Sequence, residues 1–429
     1  MNFVTTNDTK IERTPTSQIP LLLGTVLIVY VGQMTLNPII GPLSRELAMP
    51  EWQLGVTISA AACMVVATSG FWGRRAQSRG FKLVLMMALA LAVVTMILFS
   101  GLAALGMQGI LTGTLLFLLF VLLRGVGFGT AIAAVPPTAQ AYIAEFTPEG
   151  PARVKGMAGV GAVQGLASIL GAIVGALLVG FGLLAPIIVV PALIAIALVI
   201  VGIFLRPGAS TQLVENPIRV SPFDRRIMPF LVAGFGVFTA LGFIQNTVSF
   251  IIMDRFQLDK IEGGRLSGIV MLVLGIGTVI AQAVIVPVSK WAPPMLLRAG
   301  TIVGTLGFAA MLPNADLWVM FVASLLIGLG IGIAMPGYTS GPTMLVKRDE
   351  QGGLAGLIGA TNGLTYVLAP TLSTVFYGWW QPLPIVVSVA VLGIVAVFVL
   401  VHPAFHKFQS SVEATAAAEA DADADAEEF

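Results

Sequence analysis

One cysteine, Cys63, and two histidines, His402 and His406, are the whole supply of thiol and imidazole in 429 residues. No disulfide can form within the chain, and no cysteine-rich metal site can be built. An i, i+4 histidine pair can bind a metal, but no third ligand accompanies this one, which stands where the last apolar run ends. We read the pair as interfacial and expect neither metal nor cofactor. No histidine falls inside an apolar run, so the nucleophile–base set of a membrane-embedded enzyme is missing, and the chain is not read as an enzyme. The loops are too short for a soluble signalling domain. Charge is scarce as well: 10% of residues are charged, against roughly 25% in a soluble domain. Carboxylates are absent from the middle of every apolar run; Glu46, Glu145, Asp254 and Asp316 all fall near run ends. A carrier that binds cations or relays protons commonly keeps an acid within the membrane.

What is abundant is apolar sequence, 57% of the chain, in runs of about 20 residues, the length that crosses a bilayer as helix. The pattern predicts an all-α membrane protein with twelve transmembrane helices, over 19–42, 53–73, 81–104, 108–139, 156–181, 183–205, 229–253, 264–288, 293–313, 316–340, 352–376 and 382–402. Basic residues set the orientation. Lys10, Arg74, Arg75, Arg79, Lys82, Arg153, Lys155, Arg225, Arg226, Lys290, Lys347 and Arg348 fall on one side, whereas the opposite loops hold Arg45, Arg255, Lys260 and Arg265. Both termini are therefore expected in the cytoplasm. The net charge of +1 conceals this surplus, because acids crowd the last residues of the chain. The surplus reflects topology and calls for no nucleic acid. The segment 1–18 reads as a polar cytoplasmic lead-in, not a cleavable signal peptide.

The longest interior polar stretch, RPGASTQLVENPIRVSPFDRR from Arg206, divides the spans evenly. We expect a six-helix half over 19–205, a linker over 206–228, a second half over 229–405 and a disordered acidic tail over 406–429. A repeat supports two pseudo-symmetric halves. Gly125-Val126-Gly127-Phe128-Gly129 in span four matches Gly328-Leu329-Gly330-Ile331-Gly332 in span ten. Gly161 to Leu166, with Gln164, matches Gly359 to Leu364, with Asn362. Paired repeats of this kind place a transporter's substrate near the midplane between them.

Arg124 is the ionisable residue expected deep in the membrane. A charge there is expensive and marks a functional site by default; pairing with backbone carbonyls is the structural alternative. Tyr30, Gln33, Asn37, Gln245, Asn246 and Tyr338 add polar groups to spans one, seven and ten. Each could touch substrate or make an interhelical hydrogen bond. Asn37 precedes Pro38, while Pro136-Pro137 and Pro336 are expected to interrupt spans four and ten. A lone cation in the path calls for an anionic substrate, a carboxylate or phosphate clamped by Arg124.

These features resemble the major facilitator superfamily along its whole twelve-helix unit, and its drug:proton antiporter group in particular. The loop between spans two and three carries Gly73, Ala76, Gly80 and Lys82 of the family pattern, but Gln77 stands where the family has Asp and Ser78 where it has Arg. The resemblance implies a latch between halves in this loop, weaker here because Gln77 carries no charge. In span four the group has an arginine, two residues, a glutamine and Gly-x-Gly; Arg124 occupies the glutamine position and Val121 that of the arginine. Span five has small residues, Gly171 and Gly175 among them, where antiporters carry a glycine-rich motif, with Ala172 for its proline. Span eleven keeps the proline as Pro370. Glu145 and Arg153 resemble the group's acid and base in the loop after span four, implying an ion pair that changes between states. Leu241 to Phe256 is similar to bacterial exporters that include carriers of carboxylate siderophores.

Taken together, the expected protein is a monomeric secondary transporter of the bacterial inner membrane. It exports a small anionic metabolite, siderophore-like, by alternating access with a coupling proton, carried by an end-located acid such as Glu46 or Asp254 or by the substrate's own acid groups. A multidrug:proton antiporter and an organic-anion importer of the same fold remain alternatives.

Overall fold

The computed structural model describes residues 18–147, 151–206, 221–313, 316–346 and 350–406. Among them are twelve long helices and no strand. We label them α1 (Ile19–Glu46), α2 (Glu51–Arg79), α3 (Phe81–Met107), α4 (Gly113–Ile143), α5 (Pro151–Val179) and α6 (Leu184–Phe204). The second half holds α7 (Met228–Phe256), α8 (Lys260–Ser289), α9 (Pro293–Met311), α10 (Leu317–Thr343), α11 (Gln351–Trp379) and α12 (Leu383–Val401). All but α11 are long and apolar enough to cross a membrane by composition. Gly, Thr, Asn and Tyr dilute the apolar content of α11, which still runs for 29 residues.

Local breaks follow local chemistry. In α1 a 3-10 turn at Asn37–Ile39 takes up Pro38 before the helix resumes. In α4 the chain leaves the helix at 133–134 and restarts at Val135, where Pro136 falls in the first turn and its missing N–H costs nothing. The start of α4 at Gly113 lies beyond the predicted 108, because Gly109 and Gly113 take positive φ of 70° and 69°. Pro336 departs from expectation: it sits inside the continuous α10. Close packing of α10 on its neighbours holds the helix together where the proline withdraws a hydrogen bond.

The glycine repeat explains the architecture. In α4, Gly125 and Gly129 bring the backbone onto α2 at Ala60 and Ala61, while Gly127 meets Thr95 of α3. In α10, Gly328 and Gly332 bring it onto α8 at Leu274 and Ala281, while Gly330 meets Gly304 of α9. The first and third glycines of each set thus contact helices two and eight, and the middle ones contact helices three and nine. Small residues at these spacings let backbones approach closely enough for dispersion forces to drive association in lipid.

The halves join along two seams, α2 on α11 and α5 on α8. Ser59 Oγ lies 2.7 Å from Thr371 Oγ1 and accepts the Thr371 N–H at 3.2 Å. On the other seam Gly268 leaves room for Ala176, and Gly264 for Val179 and Pro42. These contacts gather toward the end that carries Arg45 and Asp254. We call it the closed end.

Candidate transport pathway and its gate

Arg124 lies in a π-helical segment, Val121–Gly127. Such segments widen a helix by one residue per turn and are frequent at functional sites. Leu122, two residues before, is 55% exposed, and Val126, two residues after, faces the same way. Arg124 therefore points into the bundle, where it is 9% exposed. Its guanidinium carbon stands 4.6 Å from the centroid of the Phe128 ring. Among the described residues it has no hydrogen-bond or ion-pair partner. The cation–π contact offsets roughly 0.5–2 kcal/mol of the cost of holding a charge in the bundle, and none of the guanidinium nitrogens is among the fully enclosed polar atoms that lack a partner. The expected arginine is thus buried and charged, with its donors unused.

A second set of polar residues converges between the halves. The Tyr338 hydroxyl lies 3.1 Å from Asn362 Oδ1 and 3.3 Å from the Ile358 carbonyl. Phe238 lies edge-on to both Tyr338, at 5.8 Å, and Tyr366, at 6.4 Å. Tyr366 in turn neighbours Tyr30 of α1, which also faces Gln164 of α5. Helices one, five, seven, ten and eleven all contribute. Tyr338 and Asn362 were sequence expectations and are brought together; Phe238 and Tyr366 were not among the expected site residues.

Other expected residues are placed apart from this set. Asn246 is buried and donates to the Gly242 carbonyl of its own helix at 2.6 Å. Asn37 turns back on Met34 Sδ at 3.3 Å. Gln33 and Gln245 are half-buried on α1 and α7. Gly171 and Gly175 receive the bend of α1: a Cβ on Gly171 would strike Met34, and one on Gly175 would lie 2.6 Å from the Thr35 carbonyl. Pro370 stands where α11 meets α2, with a Cβ on Gly55 reaching 2.6 Å from its carbonyl. Gly80 has a φ of 92°, which few other residues adopt, and Gly73 approaches Pro137. Lys82 donates to the Gly202 carbonyl at 2.7 Å and so ties α3 to α6. The side chains of Gln77, Glu145 and Arg153 lie outside the described residues, as do the acidic tail from Lys407 and residues 207–220 of the linker.

The closed end carries a network that sequence reading did not assemble. Arg45 at the end of α1 contacts Glu51 of its own half at 3.0 Å and Asp254 of the other half at 2.9 Å. Asp254 also accepts from the Tyr377 hydroxyl at 2.5 Å and from Gln381 at 3.0 Å. Lys260 crosses back to Glu46 at 2.6 Å. Between these links the Gly41 N–H donates to Ser249 Oγ at 3.0 Å. Helix ends supply every partner, because carboxylates and cations can sit there at the edge of the apolar layer.

Twelve long helices among the described residues, seams of small residues and a cluster of charges at one end are the architecture of a membrane transporter. The chain belongs to the Major Facilitator Superfamily, whose profile matches residues 22–370. It is 26% identical to the class G tetracycline resistance protein of Vibrio anguillarum over 371 residues, 82% of this chain and 89% of that one. It is 24% identical to the class B protein of Escherichia coli, over 86% of this chain and 90% of that one. The fold is similar to a bacterial homologue of the human lysosomal transporter Spinster in an inward-facing, occupied conformation. That match has a TM-score of 0.71 and 14% identity, covering 92% of this chain and 98% of the other. It is also similar to the human organic anion transporter MFSD10, with a TM-score of 0.62 and 14% identity, covering 90% and 99%.

Proposed function

We propose that this transporter exports a small organic anion, of the polyhydroxylated carboxylate type found in siderophores. One observation carries the reading: the Arg124 guanidinium is buried against Phe128 and uses none of its donors on another described residue. A carboxylate there would gain charge-assisted, two-pronged hydrogen bonds. It would also relieve the burial of an uncompensated charge. Transport follows from alternating opening of the two ends of the seams. The surplus of Lys and Arg in one set of loops supports an orientation in a bacterial inner membrane with both termini in the cytoplasm and the closed end outward. The working unit is a monomer, since both halves of the path lie in one chain. The candidates for carrying a coupling proton are Asp254 and Glu46, the two carboxylates whose cationic partners, Arg45 and Lys260, belong to the opposite half.

The relatives supply a second reading. Both curated relatives are named for tetracycline resistance, so export of a drug in exchange for protons is the competing activity. Metabolite profiling of a deletion strain, grown with and without iron, separates the two. Retention of an iron-chelating acid inside the cells, restored to the medium by the wild-type gene but not by Arg124→Ala, is the expected result. Unchanged metabolites together with greater sensitivity to tetracycline in the deletion strain would establish the drug reading instead.

A further inference from the structure

The molecule holds a cavity that lies apart from Arg124 and shares charged walls with the ion pairs of the closed end. It lies at the closed end, has a volume of about 770 Å³, and is walled by both halves. Arg45, Glu46, Met107 and the turn from Phe181 to Leu184 form one side; the α7–α8 connection from Met253 to Ile261 forms the other. That volume falls within the range of small-molecule sites. We propose that it is a second binding site, which takes an amphipathic organic cation and holds the transporter in its present state.

Two features select the ligand. The first is charge. Glu46, Asp254 and Asp259 face Arg45 and Lys260, so the walls carry one more carboxylate than they have cations. Asp254 is occupied by Arg45, Tyr377 and Gln381. Glu46 gives Oε2 to Lys260, and Asp259 gives Oδ1 to the N–H groups of Ile261 and Glu262. Glu46 Oε1 and Asp259 Oδ2 remain without a hydrogen-bond partner among the described residues. They can meet a cationic head. The second feature is apolar wall. Phe181 is 85% exposed, and Met107, Leu184, Leu258 and Ile261 continue its surface. An apolar fused-ring body would cover wall that the protein leaves bare.

State selection follows from the geometry. The two walls are held together by Arg45–Asp254 and Lys260–Glu46, so separating the halves at this end divides the cavity. A ligand that needs both walls binds the closed-end state alone and shifts the population toward it. The site lies outside the Arg124 pathway and prefers the opposite charge, so its failure would leave the anion-export reading standing.

The test uses purified full-length protein in phosphatidylcholine nanodiscs. The probes are rhodamine 6G, a planar amphipathic cation, and fluorescein, an anion on a related ring system. Fluorescence anisotropy should show saturable binding of rhodamine 6G above that of empty nanodiscs, and none of fluorescein. Glu46→Gln combined with Asp259→Asn should weaken rhodamine binding about tenfold; asparagine keeps the helix cap that Asp259 provides. Phe181→Ala, at an exposed turn, should weaken it several-fold with an unchanged melting temperature. Arg45→Ala should weaken it by releasing one wall, whereas Arg124→Ala should leave it unchanged. Equal binding of both dyes, wild-type affinity in the double variant, or loss of rhodamine binding in Arg124→Ala would each overturn the proposal.

Discussion

Arg45 Nη2 lies 3.2 Å and 2.9 Å from the two carboxylate oxygens of Asp254, across the boundary between the halves. Arg45 belongs to α1, while Tyr377 and Gln381, which also hold Asp254, belong to the second half. When the halves part at this end, the carboxylate keeps its neutral donors and loses its cation. If the halves alternate as proposed, the pair should report the state of this end and set part of the balance between states. The Arg45 side chain is 41% exposed and that of Asp254 22%, so solvent screens the attraction to about 1 kcal/mol at most.

Arg45→Ala should raise the open population at this end about fivefold, the factor that corresponds to about 1 kcal/mol. The check is the rate of thiol labelling at Ser249→Cys in a Cys63→Ser background. Ser249 is buried beneath the gate, at the Gly41 contact. An unchanged rate would mean that the small-residue seams alone hold this end shut.

Arg124→Met should abolish export of the anion and raise thermal stability. Methionine fills similar space, keeps contact with Phe128, and removes a buried charge that nothing in the described structure neutralises. Replacing buried charged groups by well-packed apolar ones is often neutral or stabilising, so a modestly higher melting temperature is expected in detergent. Arg124→Lys should transport weakly, since an ammonium lacks the planar fork. A melting temperature that falls in Arg124→Met would mean that the guanidinium is a structural tie.

The arrangement of helices was legible in the sequence to a depth that the gate was not. The triads Gly125-x-Gly-x-Gly129 and Gly328-x-Gly-x-Gly332 announce matched surfaces, because only small residues allow backbone approach on alternate sides of one helix. The folded chain uses them in matching ways, on α2 and α3 in one half and on α8 and α9 in the other. Arg124 was legible for a related reason: a charge amid apolar residues has few explanations. The π-helical winding around it left no sequence sign, since it depends on how α4 seats against α2 and α3. The partnership of Arg45 and Asp254 spans 209 residues, and polarity marks each only as a helix end. Knowing which ends meet requires the fold. Phe238 and Tyr366 were lost among other apolar and aromatic residues, because period and composition do not distinguish a ring at the path from one in the core.

A second charge cluster lies near the linker. Arg226 contacts Asp224 at 2.7 Å and Glu350 at 3.1 Å, joining the segment before α7 to the start of α11. The Arg226 side chain, bonded to the carboxylate, holds the Asp224 carboxyl below its ordinary value of 3.8. A carboxyl depressed in the folded state contributes stability above its unfolded value and loses it as pH falls through the folded one. Wild type should therefore melt slightly higher than Asp224→Asn near neutral pH, with the gap closing as the pH is taken below 3.8. A gap that persists in acid would assign the effect to geometry in place of charge.

Tyr338 and Asn362 offer the sharpest separation between a structural and a substrate-binding role. The pair links α10 to α11 at 3.1 Å, and Tyr338 is buried beneath Phe238 and against Gly234. Tyr338→Phe keeps the ring and deletes the hydroxyl, which costs about 1 kcal/mol if the bond serves the fold alone. Asn362 is only partly buried, and its amide nitrogen has no partner among the described residues, so it is free to meet a substrate oxygen. Both variants delete the same hydrogen bond and should lower the melting temperature to a similar small extent. In proteoliposomes only Asn362→Ala, which also removes the unused amide nitrogen, should raise the KM for the exported anion several-fold; Tyr338→Phe should leave KM little changed. If both variants lose stability equally and neither alters KM, the pair serves only to fasten α10 to α11, and the substrate's polar contacts must come from Gln164, Tyr30 and Arg124 on the opposite half.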